Sequence, residues 1–397
     1  MSSNRRRIYL DYNATHPLLA EARSALVDAL ELCGNPSSVH SEGRLARACV
    51  EAARQSVAGL LTASAENVFF TSSATEAAVT CLTPRWVRDG RETRIDSLAV
   101  VETDHPATRE GGQFASEALI RLPVDAEGVL DMRALHGWLD GLAGRIGMLA
   151  LCLANGETGV VQPLHEVRSA LAGRNVLLLL DAVQVAGRMP LDIGELGADA
   201  VILSGHKLGA AKGVGAFVLA SESLRPFRLL SGGGQERGMR SGTEAVPAIA
   251  SFGAAAESAS RRALESDAHM AALRERIAKR LLAEACDFTV LGSGATRRLG
   301  NTLAVSVPGL KAETAQIALD LEGFAVSAGS ACSSGKVGAS HVLVAMAAGG
   351  LDVDPAAGLL RISLGDGTTE ADVDAFAASF ARIIRRAQSG AAERKAA

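Results

Sequence analysis

The sequence lacks an excess of charge of either sign, a long apolar run and a regular cysteine pattern, and each absence excludes a class of protein. The 397 residues carry a formal net charge of −4, which gives no global attraction to nucleic acid or to an anionic membrane. No run approaches the roughly 20 apolar residues of a membrane-spanning helix. The arginines at residues 5–7 precede no apolar signal-peptide core. We therefore expect a soluble, cytoplasmic protein.

Six cysteines occur without a Cys-x-x-Cys pair, so neither a structural zinc site nor a disulfide framework is expected. Cysteines are most often buried and inert. We interpret five of them in this way: Cys33, Cys49, Cys81, Cys152 and Cys286. Cys332 differs, because it lies in "SAGSACSSGK", residues 327–336, among small and polar side chains that offer nothing to bury it. Alone, this stretch fits both a harmless loop residue and a reactive thiol.

Short apolar runs end abruptly in polar residues and then give way to helical patterns. The runs are "NVFF" from residue 67, "LAVV" from 98, "MLALCL" from 148, "NVLLLL" from 175 and "DAVIL" from 199. This alternation predicts a mostly parallel sheet covered by helices on both faces. Ligands bind such sheets beyond the carboxyl ends of the strands, so the polar residues that follow the runs predict one shared site.

The pattern changes after about residue 245. A long amphipathic helix is predicted over residues 254–285. Strands within 301–309 and 359–365 and helices over 313–321 and from about 369 follow it. These elements predict a smaller α+β domain. We assign residues 16–260 to the large α/β domain, and residues 1–15 and 261–397 to the small domain, which carries Cys332.

Two charged residues follow neighbouring predicted strands. Lys207 suits a Schiff-base lysine if its ammonium group is partly desolvated. Asp181 suits the carboxylate that pyridoxal phosphate needs opposite its ring nitrogen. Each also fits a plain role, as a surface lysine and a helix-capping aspartate, and for single residues such roles are the more common.

Other polar residues at the strand ends also allow two interpretations. "TSSATEA", residues 71–77, marks a strand-to-helix junction that suits a phosphate group, although Thr75 fits a helix cap equally well. His105 could stack on a planar cofactor or be an ordinary hydrogen-bonded loop histidine. Asn155 and Gln184 could bind ring substituents, but single residues of these types are more often found in turns or at the surface.

Two arginine-containing segments suggest recognition of an anion. The loop "SGGGQERGMRSGTE", residues 231–244, suits phosphate or carboxylate through its arginines. Arg361 lies inside an apolar strand, where its charge requires a carboxylate from the protein or from a substrate. We favour the substrate.

Taken together, the motifs resemble NifS/IscS-type cysteine desulfurases, which are fold-type I pyridoxal phosphate enzymes of the class V aminotransferase group. The motifs occur in the family order over about residues 8–385. They are "YLDYNATHP", "GNPSSVH", "TSSATEA", "ETDHPA", "NGETGVVQP", "DAVQVAGRMPLD", "SGHKLGAAKGVGA", "GGGQERGMRSGTE" and "SAGSACSS". The resemblance implies an α/β protein with a large, mostly parallel seven-stranded sheet domain and a smaller α+β domain.

The resemblance also implies pyridoxal 5'-phosphate as cofactor and a role for each candidate residue. Lys207 would form the Schiff base and carry protons, and His105 would stack on the ring. Asp181 would face the ring nitrogen and Gln184 the phenolic oxygen. The phosphate site would consist of Ala74, Thr75, Ser204 and His206, with Thr243 from the partner subunit of a homodimer. The substrate carboxylate site would consist of Asn155 and Arg361, with Asn35 nearby.

Cys332 resembles the nucleophile that takes sulfur from L-cysteine, leaving L-alanine and a persulfide. The persulfide sulfur would pass to an iron–sulfur scaffold or another sulfur-acceptor protein. Alternatives remain: a selenocysteine lyase, a small-amino-acid aminotransferase or another class V enzyme, and a catalytically silent scaffold of the same fold. Aminotransfer needs no thiol, so Cys332 favours desulfuration over that alternative.

The sequence departs from the family motifs at a few positions. A glycine is usual where Ser73 stands, and an arginine is frequent at Asp366. The segment after Lys207, with Gly209 and Ala211, lacks the usual tyrosine and proline. None of these departures removes a proposed catalytic group.

Overall fold

A computed structural model describes the backbone of residues 6–263, 266–329 and 339–396, and the side chains of these ranges except residues 266 and 390–396. The strands are β1 (Ile8–Tyr9), β2 (Val68–Thr71), β3 (Arg85–Arg88), β4 (Arg91–Arg94), β5 (Ser97–Val101), β6 (Leu119–Leu122), β7 (Gly147–Cys152), β8 (Val176–Asp181), β9 (Ala200–Ser204), β10 (Gly215–Leu219), β11 (Leu224–Pro226), β12 (Thr289–Val290), β13 (Thr302–Ser306), β14 (Phe324–Ala325), β15 (Ser327–Ala328) and β16 (Leu360–Ser363). The helices are α1 (Ala20–Leu30), α2 (Ser41–Gly59), α3 (Ala74–Cys81), α4 (Pro106–Arg109), α5 (Met132–Gly141), α6 (Leu164–Leu171), α7 (Ile193–Leu196), α8 (Gly205–Leu208), α9 (Val246–Arg262), α10 (Ser266–Ala283), α11 (Ala312–Leu321), α12 (His341–Ala348) and α13 (Glu370–Ala396).

A seven-stranded sheet in the order β2-β10-β9-β8-β7-β5-β6 forms the centre of the structure. β10 is antiparallel to both of its neighbours, whereas the β9-to-β6 portion is parallel. β2 therefore points the same way as β9. The five predicted apolar runs are all strands of this sheet, and their carboxyl ends lie along one edge. The predicted fold class is confirmed.

Both faces of this sheet are buried, which explains why its strands are continuously apolar. In β7, Leu149 and Leu151 belong to one core cluster, while Met148 and Ala150 belong to another. Successive side chains of a strand point to opposite faces, so a run buried on both sides shows no polar alternation.

A second sheet, in the order β12-β13-β16-β15, packs with α10, α11 and α13 around a separate core cluster. β1 joins this part of the molecule by pairing in parallel with β14. Asp11 then bridges to Ser363 at the end of β16. The N-terminal segment thus lies beside the C-terminal third of the chain. The boundaries at residues 15 and 260 stay predictions, and α9 continues through the second of them.

The single helix predicted over residues 254–285 is wrong. The structure has two helices, α9 and α10, which pack in different places: α9 contacts α1 and α2, and α10 contacts α13. The sequence between them contains no glycine or proline to indicate the break, so only the separate cores reveal it. In the described part of the chain, no helix is long and apolar enough to cross a membrane.

The five cysteines interpreted as inert differ in exposure. Cys81, Cys152 and Cys286 are buried, and Cys49 is half-buried. Cys33 is exposed, so the buried interpretation is wrong for this residue. Cys332 lies outside the described residues.

Candidate active site

A cavity of about 230 Å³ lies at the carboxyl edge of the central sheet. It is lined by most of the residues that the sequence predicts for the site. They are Ala74, Thr75, His105, Asn155, Asp181, Gln184, Ser204, His206, Lys207 and Arg361. The strand ends therefore bring together residues that lie up to 133 positions apart in the chain, as expected for a sheet of this type, and Arg361 joins them from the smaller sheet.

Three predicted site residues are not among those that line this cavity. Asn35 is exposed, and its Oδ1 accepts a hydrogen bond from the Ser37 amide at 2.9 Å. Thr243 is exposed on the loop before α9. Cys332 lies outside the described residues. A single chain thus gives no support to the role predicted for Asn35, which stays a prediction.

Asp181 ends β8 and is only 8% exposed. Its Oδ1 accepts a hydrogen bond from the Val183 amide at 2.9 Å, and the Cys152 thiol donates to its Oδ2 at 3.5 Å. The Cys152 sulfur in turn accepts from the His105 amide at 3.3 Å. Burial, reinforced by the nearby Asp104 and Asp181 carboxylates, raises the pKa of Cys152 well above its ordinary value. Cys152 therefore remains a neutral thiol.

Asp104 is a site residue that the sequence reasoning missed. Its Oδ2 accepts from the Val101 amide and its Oδ1 from the Cys152 amide, both at 3.0 Å. It thereby ties the ends of β5 and β7 together and fixes the backbone just before His105. Burial, with a smaller contribution from Asp181, raises the pKa of Asp104 to about 7.

His206 and Lys207 stand in the short helix α8, directly after β9. The Lys207 ammonium donates to the carbonyl oxygens of Asn13 and Ala14, the latter at 3.0 Å. The His206 Nδ1 lies 3.2 Å from the Thr15 Oγ1. Burial, together with the charge of Lys207, lowers the pKa of His206 to about 4. His206 is therefore neutral at neutral pH, and Lys207 supplies the positive charge.

Asn13, also missed, connects the cavity to the smaller sheet. Its side-chain amide donates to the Gly156 carbonyl at 3.1 Å and to the Thr302 Oγ1 at 2.9 Å. Its backbone oxygen accepts from Lys207 and from the Gln184 Nε2, the latter at 3.2 Å. One buried residue thus fixes two of the predicted cofactor ligands. The only sequence signal for it is its place in the motif "YLDYNATHP".

The first turn of α3 lines one corner of the cavity. Ser73 is the N-cap, and its Oγ accepts from the Glu76 amide at 3.2 Å, so this departure from the family motif supplies a helix cap. Helix geometry leaves the amides of Ala74 and Thr75 without partners inside the helix. A Cβ on Gly215 would lie 2.4 Å from the Ser73 carbonyl carbon, so glycine allows β10 to approach this turn.

Arg361 is 3% exposed and reaches the cavity from β16. Its Nη2 donates to the Asp11 Oδ1 at 2.9 Å, and its Nη1 donates to the Gly156 carbonyl at 3.1 Å. The charge is therefore paired with a protein carboxylate, which was the alternative that we did not favour. Its buried Nε has no hydrogen-bond partner in the described part of the chain.

Asn155 lines the cavity but is largely used by its own turn. Its Nδ2 donates to the Thr103 carbonyl at 2.7 Å. Its Oδ1 accepts from the amides of Glu157 and Thr158, each at 2.9 Å. The main visible role of this side chain is thus to shape the turn after β7.

The described residues on either side of the Cys332 segment contact the cavity or its wall. Before it, Ser327 donates to the Asp11 carboxylate at 2.9 Å and pairs with Arg361 across the sheet. After it, the Ser340 hydroxyl donates to the buried Glu157 at 2.5 Å, and His341 lines the cavity. Burial raises the pKa of Glu157.

Comparisons with known proteins agree with this arrangement. The family model for aminotransferase class V matches residues 8–376. An IscS-like cysteine desulfurase from Mycobacterium tuberculosis is 34% identical, over 96% of this chain and 98% of the relative. The cysteine desulfurase IscS from an Anaeromyxobacter species is 38% identical, over 92% of this chain and 90% of the relative.

Solved structures give the same result. The X-ray structure of a NifS-like protein from Rickettsia africae matches with a TM-score of 0.83 and 28% identity, over 95% of this chain and 99% of that one. A second NifS-like protein matches with a TM-score of 0.83 and 32% identity, and the match covers 96% of this chain and 99% of that one. The family is one of pyridoxal phosphate-dependent enzymes, as the sequence motifs imply. The chain belongs to the aminotransferase class V family, and within it to the group of NifS- and IscS-like cysteine desulfurases.

Proposed function

We propose that this protein is a cysteine desulfurase that uses pyridoxal 5'-phosphate to take sulfur from L-cysteine, producing L-alanine and a persulfide on Cys332. The observation that carries the proposal is the meeting of Lys207, Asp181 and Arg361 in one cavity. These side chains supply an amine, a buried carboxylate and a cation, which are the groups that this cofactor and an amino-acid substrate require.

The residues present fit the cofactor. The first turn of α3 suits its phosphate because unpaired helix amides attract anions. Asp181 would face the ring nitrogen, His105 would lie against the ring, and Gln184 would face the phenolic oxygen. When bound, pyridoxal phosphate withdraws electrons from the amino acid attached to it and so stabilises negative charge beside the reacting carbon.

The protein's own groups would orient the substrate and carry protons. Arg361 lines the cavity and would bind the substrate carboxylate there, while Asp11 holds one edge of its guanidinium group. Lys207 would move protons to and from the substrate carbon atoms. Because the buried strand ends exclude water, the attraction of Arg361 to the substrate carboxylate and to Asp11 would be stronger than in solvent.

Cys332 would receive the sulfur. Its thiolate forms a bond to the sulfur of L-cysteine, the carbon–sulfur bond breaks, and its electron pair stays with the three-carbon fragment. Proton transfer then completes alanine. The contacts of Ser327 and His341 support this role, because these residues flank the Cys332 segment and lie beside Arg361 and in the cavity wall, respectively.

Cys152 is not suited to the same task, although it lines the cavity. Only a thiolate is a good nucleophile, and the burial that raises the pKa of Cys152 keeps it protonated. Its hydrogen bond to Asp181 gives it a structural role instead. This contrast supports the assignment of sulfur transfer to Cys332.

A homodimer would complete the site by bringing Thr243 of one subunit to the phosphate corner of the other. Three large apolar residues before the Thr243 loop are exposed in the single chain, which supports a partner surface there: Phe227, Leu229 and Leu230. The persulfide sulfur would then pass to an iron–sulfur scaffold or another acceptor protein.

The test is product analysis on purified protein supplied with pyridoxal phosphate. The wild type should show the absorbance of bound cofactor and should release alanine from L-cysteine. In Lys207→Ala, both signals should be weaker than in the wild type. Alanine from L-selenocysteine alone would instead indicate a selenocysteine lyase. A keto acid without sulfur release would indicate an aminotransferase. The absence of cofactor absorbance and of any product would indicate a silent scaffold.

A further inference from the structure

Arg188 is a half-buried cation for which neither the motifs nor the proposed reaction provides a role. Its Nη1 donates to the backbone oxygen of Gln184 at 2.7 Å and to the Gln184 Oε1 at 2.5 Å. No carboxylate lies within ion-pair distance of it in the described ranges. Burial and the charge of Arg361 lower the pKa of Arg188 to about 10, so it is still a cation at neutral pH.

The turn that carries Arg188 is fixed by its own packing. Gly187 has a φ of +73°, and a Cβ there would lie 2.9 Å from the Leu208 Cδ2 and 3.0 Å from the Ala259 Cβ. Any other residue at 187 would be strained and crowded. The guanidinium group is thus held beside Gln184, which lies four residues earlier in the chain.

This contact decides which way the Gln184 amide points. A guanidinium group has donors only, so the oxygen of the Gln184 amide must face Arg188 and the nitrogen must face away. The Nε2 then donates one hydrogen to the Asn13 carbonyl, at 3.2 Å. Gln184 lines the cavity, and its Nε2 has a second hydrogen to offer to a ligand bound there.

We propose that Arg188 is a positioning residue that locks Gln184 as a hydrogen-bond donor to an oxygen anion of the bound cofactor. Without Arg188, only the Asn13 carbonyl holds the amide in this orientation, and rotation by half a turn would present the amide oxygen to the same anion, which is repulsive. With Arg188, the amide is also polarised by a full positive charge, which strengthens its donor end. The inference rests on the proposed function, because the oxygen concerned is the phenolic oxygen of pyridoxal phosphate.

The experiment is a pH titration of the visible absorbance of the bound cofactor in the wild type, Gln184→Met, Arg188→Met and the double variant. Loss of the donor disfavours the anionic form of the cofactor oxygen. The pH at the midpoint of the absorbance change should therefore rise in Arg188→Met by about one unit, which corresponds to one hydrogen bond to a charged group. Because Arg188 acts through Gln184, the double variant should have the midpoint of Gln184→Met alone. Arg188→Lys should keep much of the wild-type midpoint.

Controls separate this inference from the proposed function. Arg168→Met, which removes an exposed arginine outside the cavity, should leave the midpoint unchanged. Unchanged midpoints in both Arg188 variants, or additive shifts in the double variant, would overturn the positioning role while leaving the proposed function intact. A wild type without any bound-cofactor absorbance would overturn the proposed function itself.

Discussion

At the scale of single residues, burial sets the charge of the groups around the cavity in opposite directions. It lowers the pKa of His206 to about 4, so this histidine stays neutral beside the charged Lys207. It raises the pKa of Asp104 to about 7, so this aspartate is partly protonated near neutral pH.

The low pKa of His206 predicts a loss of stability in mild acid. Below pH 6.5 the unfolded chain binds a proton at this residue that the folded chain does not bind until about pH 4, so the free energy of unfolding falls as the pH falls through this window. Between pH 7 and 4.5, the cofactor-free wild type should lose about 1–2 kcal/mol more than His206→Gln, after allowance for partial exposure.

Urea unfolding of the two proteins at a series of pH values measures this difference. Aspartates with shifted pKa values, such as Asp104, contribute equally to both proteins and cancel in the comparison. Parallel pH profiles for the wild type and His206→Gln would contradict the assignment of a neutral, buried His206.

The reactive residues of the site could be predicted from the sequence, whereas those that hold them could not. Lys207, Asp181 and His105 stand directly after apolar runs, and strand-end position is a local signal. Asn13 and Asp104 act through contacts with residues that are distant in sequence, so no spacing indicates them. Arg361 shows the same limit, because only the fold reveals Asp11 as its partner.

At the scale of elements, a buried ion pair fastens the 231–244 loop to the central sheet. Arg54 on α2 forms two hydrogen bonds to the Glu236 carboxylate, at 2.7 and 2.9 Å, and Glu236 also accepts from the Phe70 amide in β2 at 2.8 Å. Glu236 and Arg237 both have positive φ values, of 46° and 54°. Residues other than glycine rarely adopt this backbone conformation, so the ion pair must hold the backbone in it.

Glu236→Gln should therefore be strongly destabilising. It leaves the Arg54 charge buried without its carboxylate, and breaking a buried pair in this way costs about 3 kcal/mol or more. Glu92→Gln is the matched control, because Glu92 pairs with Arg85 at the surface. That change should lower the free energy of unfolding far less, because exposed ion pairs contribute little to stability.

Urea denaturation at neutral pH measures both variants. If Glu236→Gln and Glu92→Gln lowered the free energy of unfolding equally, the buried pair would not be what holds the loop. The expected result is a large decrease in the free energy of unfolding for Glu236→Gln only.

The strands of the parallel portion could be predicted from the sequence, whereas the antiparallel strand and the break between two helices could not. The five parallel strands are continuously apolar and were identified. β10 was not identified, although its sequence GAFVL is equally apolar and buried, because it follows Lys207 after a short loop and returns antiparallel. The break between α9 and α10 was missed for a similar reason, since two cores rather than a breaker residue separate these helices.

At the scale of the whole molecule, one chain presents most of the cavity lining but leaves Thr243 outside it. A shared active site predicts that two inactive subunits can complement each other. Lys207→Ala removes the Schiff-base lysine, and Thr243→Glu places a negative charge beside the partner's phosphate corner. Each variant alone should be nearly inactive with L-cysteine.

Mixing and refolding the two variants in equal amounts should restore about a quarter of the wild-type activity, because half of the dimers are hybrids and each hybrid has one intact site. Alanine formation measures the recovery. An unmixed sample of each variant, refolded in the same way, is the control. No recovery from a mixture that contains hybrid dimers would contradict the contribution of Thr243 across the interface.

The most direct test of the central claim, sulfur transfer through Cys332, is alanine release from L-cysteine under reducing conditions by the wild type, Cys332→Ala and Cys152→Ser. The account predicts alanine from the wild type, most of that activity in Cys152→Ser, and none above background in Cys332→Ala. Equal alanine release by Cys332→Ala and the wild type would contradict it, because the thiol would then be dispensable.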